Sequence, residues 1–73
     1  MQIENPLIKR PAIGTRVIVH GQTELPFKAR VESYYECDEN SVLVKRYYTN
    51  QEWIVDWRKC ELLLNLKIWN YEI

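Results

Sequence analysis

An excess of either charge is missing from this sequence: ten Lys and Arg stand against ten Asp and Glu, a formal net charge of zero. A neutral chain sets up no global field toward polyanions, so any nucleic-acid contact has to come from a local patch. Cysteine is scarce. Cys37 and Cys60 are too few ligands for a structural zinc site and weak grounds for an oxidising compartment, so two reduced, partly buried thiols are expected. Histidine occurs once, as His20. Acid–base work there would need Asp56 or Glu52 to orient the ring, and no spacing brings them together. Ser33, Ser41, Cys37 and Cys60 have no activating constellation around them. The GxxxxGK[ST] phosphate loop, the dinucleotide fingerprint and the HExxH helix are all missing, which removes the usual supports of nucleotide and metallohydrolase chemistry. No apolar run is long enough to span a bilayer, and no basic-then-apolar leader follows Met1. An intracellular, soluble protein with no membrane partner is therefore expected, nucleus and cytoplasm not being distinguishable. Together these absences argue for a non-enzymatic protein with no cofactor.

What is present is apolar and β-forming. Seventy-three residues hold 47% hydrophobic, 12% aromatic and 27% charged side chains, enough for one compact domain with a wet surface. Pro6 and Pro11 oppose a continuous helix, so residues 1–13 read as a lead-in arm, with Leu7 and Ile8 as its anchors and Lys9 and Arg10 as a solvated basic pair. Residues 14–73 read as the folded unit. Residues 14–20 give a first strand through Val17 and Val19, and residues 27–35 a second, with Phe27, Ala29 and Val31 on one face and Lys28, Arg30 and Glu32 on the other. The central element is a hairpin over residues 42–57. Val42 and Val44 share one side of its first strand, and Leu43, Lys45 and Tyr47 the other; Trp53, Val55 and Trp57 oppose Glu52, Ile54 and Asp56 along its second. Residues 58–61 suit a single 3₁₀ turn. Beyond it, Leu64, Leu66 and Ile68 alternate as a last strand would, a short amphipathic helix being the alternative.

Nine aromatics are many for this length: Phe27, Tyr34, Tyr35, Tyr47, Tyr48, Trp53, Trp57, Trp69 and Tyr71. Rings of this kind fill cores, wall cation pockets or stack on bases. Tyr47 and Tyr48 are adjacent on a strand and so face opposite ways, one to pack and one to meet solvent.

Over the residues 14–20, 27–31 and 42–63 the chain resembles Tudor-like members of the small SH3-like barrel group. The Val-x-Val opening, the Phe-x-Ala-x-Val second strand and the ending Val55-Asp-Trp-Arg-Lys-Cys60 look like successive elements of that family. The resemblance implies an all-β fold, a small five-stranded antiparallel SH3-like barrel with a short 3₁₀ turn before the last strand. It also implies recognition of protein tails, with Phe27 at an aromatic-cage position and Tyr47 or Tyr48 at another. Gly21 stands where a further cage ring is frequent, and residues 46–50 carry no acidic residue, so the fold is implied more firmly than methyl-lysine binding. Pro26-Phe-Lys-Ala-Arg-Val31 with Arg58-Lys59 is also similar in layout to a retroviral-integrase C-terminal barrel.

The leading expectation is a module that binds a protein tail or short peptide in a groove bordered by Phe27, Tyr47, Tyr48 and Trp57. A second reading is a DNA- or RNA-binding accessory domain using Lys28, Arg30, Lys45 and Arg46. A third is a homo-oligomer-forming module that buries the apolar residues 62–73.

Overall fold

Each of the first four strands turns at least one valine into the core, and the fifth turns in Cys60. The computed structural model describes residues 6–63. They comprise β1 (Arg16–Val19), β2 (Phe27–Tyr34), β3 (Ser41–Arg46), β4 (Glu52–Asp56) and β5 (Cys60–Leu62), with one turn of 3₁₀ helix over Trp57–Lys59. All pairings are antiparallel and the order across the sheet is β4-β3-β2-β1-β5. The expected terminal strand or helix at Leu64, Leu66 and Ile68 lies outside the described residues.

One face of the sheet makes the core. Val17 and Val19, Phe27, Ala29 and Val31, Val42 and Val44, Val55 and Cys60 form a single buried cluster, with Leu7, Trp53 and Trp57 packed against it. Those are the faces that strand alternation assigns. No second layer of secondary structure covers this cluster among the described residues, so the sheet must curl over its own apolar side. The 3₁₀ turn explains how. In a flat sheet, β4 and β5 would lie about 19 Å apart at spacings of 4.8 Å per strand. Three residues of 3₁₀ helix, which rise about 6 Å, nonetheless join them. The Cys60 thiol accordingly reaches the Asp56 carbonyl at 3.7 Å.

The five antiparallel strands stand, but the expected closed SH3-like, Tudor-like barrel does not. β4 and β5 are the two ends of the sheet and do not pair with each other. The arm supplies the reason: Pro6 bridges Glu61 on the side of β5 that β1 leaves open. With that edge occupied at Glu61, the three-residue β5 has little backbone left with which to zip up a barrel.

A bulge in β2 fastens the other part of the arm. Val31 opposes Val44, but Ser33 opposes Leu43 and Tyr34 opposes Val42, so Glu32 is the extra residue. The shift swings Tyr34 to the arm's side, where its hydroxyl donates to the Pro11 carbonyl at 3.0 Å and the Arg10 guanidinium lies 4.0 Å over its ring. Asp56 caps the 3₁₀ turn by accepting from the Arg58 backbone N–H at 2.9 Å. The Arg58 side chain holds the same carboxylate at 2.7 Å, and those hydrogen bonds keep Asp56 below its ordinary pKa.

The two cysteines occupy opposite environments. Cys37 is exposed, whereas burial pushes the Cys60 thiol up to about 12, with the Asp56 charge adding to the effect. Because the thiolate is the reactive form, a maleimide at about pH 8 is expected to label Cys37 in the folded protein and Cys60 only after denaturation. Mass spectrometry showing two modified cysteines at native rates would contradict the placement of Cys60 in the core.

Candidate functional site

Cross-strand register gathers charge that the sequence scatters. On the face of the sheet opposite the core, Arg16 of β1 pairs with Arg30 of β2, and Arg30 pairs with Lys45 of β3. Directly opposed residues have Cβ atoms about 5 Å apart, and like charges so placed oppose sheet formation. Nearby carboxylates relieve the repulsion in this row of three cations. Glu32 does so in part, its carboxylate 3.1 Å from Arg30 Nε, and Glu52 opposes Lys45 at the end of the row.

The row opens onto a concavity of about 600 Å³ lined by Arg16, Arg30, Lys45 and Arg46, by Tyr47, Tyr48 and Asn50, and by Glu32. Four cations against one carboxylate make a cationic patch on a protein of zero net charge. The tyrosines come from the β3–β4 connection. Arg46 N–H donates to Gln51 at 2.8 Å and Asn50 N–H donates back to Arg46 at 3.0 Å, which closes a tight loop. Inside it, Thr49 N–H donates to the Tyr47 carbonyl at 2.8 Å, and Tyr48 between them has φ +73°. That combination is a γ-turn of the rare positive-φ kind, a strained conformation for a bulky residue. Tyr48 is 83% exposed, and its ring meets that of Tyr47 edge-on with centroids 6.3 Å apart.

The four expected peptide-binding residues do not form one groove. Phe27 is only 6% exposed and packs on Trp53 at 5.4 Å, with the Arg46 guanidinium 4.6 Å above its ring. It touches a shallow recess of about 280 Å³ beside Tyr47 and Tyr48. Trp57 sits elsewhere, donating from Nε1 to the Glu39 carbonyl at 3.2 Å and facing Ile8, Lys9 and Arg10 of the arm. Of the four expected cationic residues, Arg30 and Lys45 are cross-strand partners and Arg46 reaches the same concavity from the rim. Lys28 opposes Ile18 and lines the smaller recess instead.

Arg16 and the partner of His20 escaped the sequence reading. Arg16 precedes Val17 in β1, so alternation puts it outward, but only the β1–β2 register sets it against Arg30. His20 is buried and its Nε2 meets Glu61 Oε1 at 2.7 Å; the expected orienting groups were Asp56 and Glu52. That pair ties the end of β1 to β5, a structural position. Among the described residues no group of three or more His, Cys, Asp or Glu side chains could hold a metal ion, and no helix is long and apolar enough to cross a membrane.

Comparison with known proteins yields no matching family model, no matching curated protein and no matching solved structure. The resemblance to Tudor-like SH3-like barrels is thereby corrected: short Val-x-Val and Phe-x-Ala-x-Val runs are what any curled valine-rich sheet requires, and here they belong to a five-stranded antiparallel sheet that stays open.

Proposed function

We propose that this protein is a non-enzymatic nucleic-acid-binding module whose contact surface is the outer face of β1, β2 and β3 with the β3–β4 loop. The observation that carries the reading is the Arg16–Arg30–Lys45 row, set in register at the mouth of a concavity that also presents Arg46, Tyr47 and Tyr48. Clustered cations beside accessible aromatics suit phosphate and base together. A peptide groove draws less support, because Phe27 belongs to the core and Trp57 lies at the far corner.

The test is fluorescence anisotropy with labelled oligonucleotides, read against salt. For three to four phosphate contacts, affinity is expected to fall about 20- to 150-fold between about 50 and 200 mM salt. Reversing charge with Arg30→Glu and Lys45→Glu together should flatten that dependence by about one unit of log–log slope per lost contact. Binding that is absent at low salt, or that survives the double reversal with its slope unchanged, would sink the proposal.

A further inference from the structure

Resting on the nucleic-acid reading above, we infer that the bound chain is single-stranded and that the ring of Tyr48 is the platform on which one of its bases stacks. The loop holds Tyr48 out at a cost. Its positive φ is one that a bulky residue seldom adopts, and glycine would take it without strain. Hydrogen bonds from Arg46, Thr49 and Asn50 N–H, and from Gln51 N–H to Thr49 Oγ1 at 3.3 Å, fix the loop around it. Tyr47 touches the ring edge-on and so leaves a face of it to solvent.

The charges beside the ring fit one strand. Arg16 to Lys45 is two strand spacings, about 10 Å, a row that a few consecutive phosphates of a single chain can follow. Every base of an unpaired strand has a π-face to offer, whereas a duplex buries those faces in its own stack and exposes only base edges in its grooves. An exposed aromatic therefore adds affinity for the single strand that it cannot add for the duplex. A base stacked on Tyr48 would carry its phosphate toward Lys45 and Arg30, which line the same concavity.

The experiment compares three labelled probes on the full chain: a single-stranded oligothymidylate of about 12 nucleotides, an abasic strand of the same length, and a duplex hairpin. The single strand is expected to bind most tightly. Tyr48→Ala should weaken it about 5- to 150-fold, the range for losing one base–aromatic stack, while leaving the abasic strand unaffected; Tyr48→Trp should restore binding. Tyr48→Gly relieves the backbone strain while removing the ring, so it should lose single-strand affinity without losing thermal stability, which separates ring loss from loop collapse. Equal or tighter duplex binding, or a Tyr48→Ala effect of the same size on the abasic strand, would overturn the inference while leaving the cationic surface intact. If no probe binds the unaltered protein at low salt, the nucleic-acid reading itself fails, and this inference with it.

Discussion

Truncating Phe27 to alanine is expected to lower the unfolding free energy by about 3–5 kcal/mol, the range for deleting a buried aromatic ring. A chain of this length has about 4–11 kcal/mol in total, so the variant should be close to unfolding at room temperature. Its burial and two contacts explain the size of the effect. The ring is 6% exposed, lies 5.4 Å from Trp53 and supports the Arg46 guanidinium at 4.6 Å. Removing it opens a cavity at the edge of a core made mostly of valines, whose branched side chains cannot swing into the space. Urea denaturation should show the midpoint falling with little change in slope. Phe27→Leu keeps most of the volume and should lose much less. If Phe27→Ala keeps its stability and fails only in ligand binding, the ring is a recognition surface and its place in the core is wrong.

Truncating the Glu61 side chain should be nearly as damaging. Glu61 and His20 are both buried, 2.7 Å apart, and belong to the junction of β5 with the end of β1. Glu61→Ala deprives a buried ring nitrogen of its acceptor and leaves a hole where Pro6 bridges the strand; a loss of about 2–4 kcal/mol follows from these terms. Glu61→Gln keeps the shape and a polar partner, and should cost about 1 kcal/mol. The pair of variants, compared by chemical denaturation, isolates the interaction. Equal losses in both would mean that the cost lies in the carboxylate itself and that the packing glutamine preserves adds nothing; no loss in the glutamine variant would mean that the charge on the contact with His20 adds nothing.

The strands were readable because valine alternation is a local signal: Val17 and Val19, Val42 and Val44, and Val55 all point where a period of two sends them. Tyr34 was not, since counting onward from Lys28 and Arg30 keeps it on their side, and the extra residue at Glu32 reverses it. Barrel closure was illegible for a different reason. Whether β4 meets β5 depends on competition for one strand edge, and the competitor, Pro6, is distant in sequence. The cationic surface was half visible. Arg30 and Lys45 sit on strands that adjoin through a short turn, whereas Arg16 joins them only through the pairing of β1 with β2. Tyr48 could be marked as one of two adjacent rings, but its exposure follows from a γ-turn that no residue type in the loop announces.

The position of β1 between β2 and β5 has a kinetic side. β2, β3 and β4 follow one another as a meander whose turns close over a few residues, so each hairpin can assemble on the microsecond scale. β5 finds its partner only when Leu62 reaches Val17, near the opposite end of the described chain, and the ordering entropy of everything between has to be met first. The meander is thus the natural nucleus. The last strand arrives as a late clasp, drawing the arm at Pro6 with it and burying His20 and Glu61 in one closing step.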